Sequence, residues 1–93
     1  MMYKVIYHPD IPKHDLLKIP RNIKAIIRRG IEERLTQEPF LVGEPLRHSL
    51  KGHRKLRVGD YRVIYRVQGS TIIVLKIGHR KDVYAQVFSR LNA

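Results

Sequence analysis

The 93-residue chain has no cysteine and no tryptophan, and only two phenylalanines and two methionines. Without cysteine, disulfides and thiolate metal sites are excluded. No run of Asp and Glu shows metal-ligand spacing, so no metal and no other cofactor is expected. The N-terminal string M-M-Y-K-V-I-Y lacks the apolar stretch of a secretory signal, which makes the cytoplasm the expected compartment. The longest aliphatic run, Ile72 to Leu75, is four residues. A bilayer needs roughly 20, so no membrane partner is expected.

Acidic residues are also scarce. Eight Asp and Glu stand against nineteen Lys and Arg, a formal charge of +11. The excess is uneven. Residues 1–46 hold eight basic and six acidic side chains, a net of +2, whereas residues 47–93 hold eleven and two, a net of +9. Such lopsidedness points to nucleic acid or an acidic protein as partner. A hydrophobic content of 43% is ordinary for a globular chain, and the length suits one compact domain over 1–93 with a small core.

Hydrophobic periodicity organises the chain. Tyr3 to Tyr7 alternates as a strand. Ile11 to Ile19 is a short helix candidate, ended by the Ile19-Pro20 step. A second helix is expected from about Pro20 to Gln37, with Ile23, Ile26, Ile27, Ile31 and Leu35 forming one apolar stripe. Gly30 weakens that helix by about 1 kcal/mol relative to alanine and suggests a close approach to a neighbouring element. Residues 38–52 read as a loop rich in turn formers, with Leu46 and Leu50 tucked beneath. Strands are expected at His53–Val58, Tyr61–Val67 and Thr71–Ile77, joined by the two-residue turns Gly59-Asp60 and Gly69-Ser70. A short helix over 82–91 closes the chain. The order is β-α-α-β-β-β: an α+β fold with a small antiparallel sheet, a helix pair on one face, and the other face left to solvent and function.

Cations mark that second face. His53, Lys55 and Arg57 are two apart, so they share one side of their strand. The strings P-L-R-H-S-L-K-G, L-R-V-G-D-Y-R-V-I-Y and I-G-H-R-K-D-V-Y, together with the helical segment I-I-R-R-G-I-E-E-R-L-T-Q-E-P, resemble the RelE/ParE superfamily of bacterial and archaeal toxins. The likeness covers nearly the whole chain and favours the RelE-like branch.

The resemblance implies a fold like that of the small microbial ribonucleases. It implies the toxin of a type II toxin–antitoxin system, an endoribonuclease that cleaves mRNA in the ribosomal A site. It implies an acidic, RelB-like antitoxin partner in a hetero-oligomer. Carried over position by position, the family's cutting residues match Lys55, Arg57, Arg62, Arg80 and Tyr84. His53 and His79 stand where some relatives carry lysine. Glu44 matches a glutamate that one branch uses as general base and that many members lack.

Metal-free cleavage of RNA needs a base for the 2′-hydroxyl, cations for the charge that builds at phosphorus, and an acid for the leaving 5′-oxygen. Arg62 and Arg80 are the expected clamp, because a guanidinium fork fits phosphate oxygens. The plainer reading of Arg62 is a surface arginine paired with Asp60. Tyr84 can stack on a base or take a proton; equally, it can be an aromatic that packs the terminal segment. Histidine titrates near neutrality, so His79 is a candidate acid, and Glu44 a candidate base. His53, Arg57, Arg54, Lys51 and Lys81 are expected to hold the RNA backbone, with Arg66 and Lys76 adding to a phosphate footprint. Two other readings remain: a ParE-like inhibitor of DNA gyrase without nuclease chemistry, and an inactive member that only binds its antitoxin.

Overall fold

The computed structural model describes residues 2–91; positions 1, 92 and 93 of the expected 1–93 domain lie outside the described residues. The chain opens with strand β1 (Lys4–Tyr7). A wide helical turn (Ile11–Asp15) and a tight one (Leu16–Lys18) follow. Helix α1 (Arg21–Arg29) begins after Pro20 and runs on as a wider turn (Gly30–Leu35). Then come helix α2 (Pro39–Val42), strand β2 (Glu44–Pro45) and a 3-10 turn (His48–Leu50). Strands β3 (Arg54–Val58), β4 (Tyr61–Gln68) and β5 (Thr71–His79) form the expected meander. Helix α3 (Val83–Val87) and a 3-10 turn (Phe88–Arg90) end it.

One five-stranded sheet runs in the order β1-β5-β4-β3-β2. β2 to β5 pair antiparallel, while β1 joins β5 in parallel, with Lys4 opposite Thr71. The helices carry the chain from β1 to β2 at the far edge of the sheet, and the meander then returns to place β5 beside β1. No helix among the described residues is long and apolar enough to cross a membrane.

The α1 stripe docks on one sheet face. Ile27, Ile31 and Leu35 are buried with Leu56, Val63, Tyr65, Ile72, Val74 and Ile77. Ile26 departs from the expected stripe and is 51% exposed. At 100° per residue it lies to one side of the line through Ile23, Ile27 and Ile31. Gly30 rests over Leu56 and Val58, but a Cβ there would meet them at 3.7 and 3.6 Å, ordinary contact. The expected close approach therefore does not demand glycine at that position.

The opposite face is not left to solvent. Leu50, Ile64, Leu75, Val83 and Val87 form a second buried cluster, with Leu46, Tyr84 and Leu91 packed against it. The terminal helix and the 48–50 turn thus cover the part of this face around Ile64 and Leu75. The loop expected over 38–52 is ordered by two ties to the first face, of which the Tyr65 bond is buried. Tyr65 donates its hydroxyl hydrogen bond to the Pro39 carbonyl. Arg54 donates to the carbonyls of Phe40 and Gly43, both at 2.9 Å. A Cβ on Gly43 would lie 1.8 Å from the Tyr65 hydroxyl oxygen, so only glycine fits there. This loop places β2 beside β3.

A cationic sheet face with an acid and a tyrosine at its edge

Residues paired across strands share a face. Glu44 lies opposite Lys55, Lys55 opposite Ile64, and Arg57 opposite Arg62. These positions belong to the face of Ile64 and the second cluster. Tyr84 reaches the same face from α3: the Lys55 ammonium sits 5.8 Å from the centre of its ring. The same Lys55 Nζ lies 3.8 Å from Glu44. Glu44, Lys55 and Tyr84 thus form a line, anion to cation to aromatic. Glu44 is inside the group because β2 pairs with β3, which sequence spacing alone does not disclose.

Arg57 and Arg62 face each other directly across β3 and β4. Like charges in that relation destabilise a sheet. Arg57 is exposed, whereas Arg62 is only 8% exposed. Arg62 does not pair with Asp60. Its Nη1 instead donates to the carbonyls of Gly59 and Tyr61 at 3.0 and 2.9 Å. The fork is aimed by the β3–β4 turn. Its Nη2 and Nε make no hydrogen bond among the described residues and remain available as donors. The Asp60 partner is Arg80, whose Nε lies 3.6 Å from the carboxylate while its backbone N–H donates to the Asp60 carbonyl at 2.8 Å. Both guanidinium groups are therefore anchored on the Gly59-Asp60 turn.

Other expected site residues do not gather here. His79 lies opposite Tyr61, on the helix-covered face, with the two rings edge to face at 5.5 Å. Its Nδ1 accepts the Lys81 N–H at 3.2 Å. Arg54 also points to that face and is committed to the Phe40 and Gly43 carbonyls, with its guanidinium 5.4 Å from the Phe40 ring. Its role is to hold the loop, not to form part of the cationic row. His53 precedes β3 half-buried, both ring nitrogens enclosed and without a partner among the described residues. Lys51 and Lys81 are exposed, as a phosphate-contacting role requires.

Lys76 corrects the expected footprint most clearly. It is 6% exposed, and its Nζ bonds to Asp15 at 2.8 Å. The buried Asp15 carboxylate also accepts two hydrogen bonds from Arg90, at 2.7 and 2.9 Å, and the Ile77 N–H at 3.0 Å. Burial by itself would raise the Asp15 pKa, but the Arg90 fork, the Ile77 N–H and Lys76 together hold it below the ordinary carboxylate value. A lysine inside the aliphatic string I-I-V-L-K-I is the sequence sign of such a partner, since an unpaired ammonium is not buried. Among the described residues no three His, Asp or Glu side chains converge as a metal site.

Comparison with known proteins identifies the family and the fold. The family model described as "ParE toxin of type II toxin-antitoxin system, parDE" matches residues 5–84. Toxin RelG of Mycobacterium tuberculosis is 38% identical over 74 residues, 77% of this chain and 85% of that protein. The toxin–antitoxin complex RelBE2 of M. tuberculosis contains a chain 34% identical to this one, with a TM-score of 0.79 over 86% of this chain and all of that one. A free variant of the E. coli toxin RelE, 18% identical, shares the fold with a TM-score of 0.76, over 97% of this chain and 94% of that one.

Proposed function

Because the chain belongs to the RelE/ParE family of type II toxin–antitoxin toxins, we propose that it arrests translation in the cytoplasm by cutting mRNA in the ribosomal A site. The observation that carries this reading is the face shared by Lys55, Arg57 and Arg62, with Glu44 and Tyr84 flanking Lys55. The Arg57–Arg62 juxtaposition costs the folded chain energy in the absence of an anion and is relieved by a phosphate.

In the proposed reaction the 2′-oxygen loses its proton and bonds to phosphorus, and the bond from phosphorus to the 5′-oxygen breaks as that oxygen takes a proton. Glu44 and Tyr84 stand beside the Lys55 ammonium and are the groups placed to accept the first proton. Lys55 has N–H donors for the leaving oxygen. Arg62 and Arg80 clamp the non-bridging oxygens, a contribution of about 3–4 kcal/mol each. The chemistry uses these side chains and needs no metal. His79, on the other face, has no direct part. The partner that holds the toxin in check is an acidic RelB-like antitoxin, matched to the basic half of the chain.

The test is expression followed by mapping of mRNA 5′ ends. Cleavage within codons, dependent on ribosomes and lost in K55M but kept in H79Q, is expected. The ParE description of the matched family favours one alternative, inhibition of DNA gyrase; intact mRNA with a DNA-damage response would establish it in place of cleavage.

A further inference from the structure

Tyr84 rides on a helix of five residues, too short to hold its own conformation. Apolar contacts of Val83 and Val87 seat that helix on the sheet, but they lack direction. Direction comes from Arg90, six residues beyond Tyr84. Its side chain is 8% exposed, and its guanidinium grips both oxygens of Asp15 and donates to the Leu75 carbonyl at 3.0 Å. Its Nε also lies 3.8 Å from Asp10. The pairing of β4 with β5 steps from Val74 opposite Tyr65 to Lys76 opposite Ile64, which leaves Leu75 unpaired and its carbonyl open to Arg90. The same irregularity leads into Lys76, the third member of the cluster. At the helix's other end, the space over Gly78 is bounded by Val83 and by the Lys76 stem, 3.5 and 3.6 Å from where a Cβ would stand. The buried ions therefore brace the turn that directly follows α3, through Arg90.

We propose that the Asp15–Lys76–Arg90 cluster positions Tyr84 over Lys55, and that Arg90 is a positioning residue for the reaction. This rests on the reading of Tyr84 as part of the cutting site. A planar fork bound at two oxygens fixes orientation in a way that a single ammonium or a methionine does not.

The test compares the full chain with R90M and R90K on ribosomes carrying a defined mRNA, alongside amide hydrogen exchange. In R90M, kcat is expected to fall about tenfold or more with KM nearly unchanged, since misplacement by about 1 Å is enough for such losses. Exchange across Val83–Arg90 is expected to quicken by about tenfold, while β4 and β5 change little, as local opening requires. R90K should recover part of kcat. If R90M does not fold, R90K carries the comparison, with a smaller loss of kcat relative to wild type. An unchanged kcat, a loss confined to KM, or exchange that rises equally in β4 and β5 overturns the proposal. Absence of cleavage by the wild-type chain, with α3 exchange still dependent on Arg90, overturns the cutting function and leaves the anchoring of the helix standing.

Discussion

Asp15→Asn removes one charge and almost no volume from the most enclosed ionic group of the protein. The Asp15 side chain is 0% exposed and receives four hydrogen bonds, two from Arg90, one from Lys76 and one from the Ile77 N–H. The amide would turn two N–H donors toward groups that are themselves donors. Lys76 and Arg90 would be left with Asp10 as the remaining nearby anion, 3.8 Å from Arg90 Nε. Breaking one side of a buried ionic cluster costs about 3–5 kcal/mol. Set against a total stability of roughly 5–15 kcal/mol, that is a large share. Urea unfolding followed by circular dichroism at pH 7 should show the midpoint lowered by about 1–5 M at constant slope. The pH dependence gives a second check. Folding lowers the Asp15 pKa from its ordinary 3.8, so the unfolded state binds the proton more strongly. The stabilisation is complete well above 3.8 and is lost as pH falls below it, through the folded value. Wild type and D15N should therefore converge on acidification. A variant within about 0.5 kcal/mol of wild type at pH 7, the range of an ordinary surface change, would refute the reasoning.

Three further outcomes can be stated. Gly43→Ala should cost about 1–3 kcal/mol or more, because its Cβ would enter the Tyr65 hydroxyl; in the same variant the salt dependence of cleavage should change as Glu44 shifts from Lys55. Gly30→Ala should raise stability by up to about 1 kcal/mol in thermal melts, since Gly30 is helical and has room for a methyl group. Arg80→Ala should leave unfolding within about 0.5 kcal/mol of wild type, its pairing with Asp60 being exposed, while slowing cleavage by about a hundredfold or more. Arg80 is the cleaner probe of the proposed clamp. Arg62 is buried and bonded to the turn carbonyls, so its removal disturbs the turn as well.

Much of the fold is legible in the residues. The strands and two-residue turns from 53 to 79 follow from alternation and from Gly59 and Gly69, both at positive φ. The α1 stripe and its stop near Pro39 follow from period and proline. The structured content of 38–52 was not legible, because its order depends on Arg54 and Tyr65, distant in sequence, reaching its carbonyls. The second cluster escaped for a related reason. Val83 and Val87 announce a helix face but not the sheet face that receives it.

Local sequence by itself determined the element types, the lopsided charge, and the shared side of Lys55 and Arg57, since period-two alternation and turn chemistry act over a few residues. Register and enclosure decided the rest. Strand pairing brought Glu44 to Lys55 and turned His79 to the other face. Burial turned Lys76 from a surface cation into one arm of an ionic cluster with partners 61 and 14 residues away. Those outcomes depend on which side chains meet across the sheet and on how little water remains between them, and neither quantity is defined until the chain has folded.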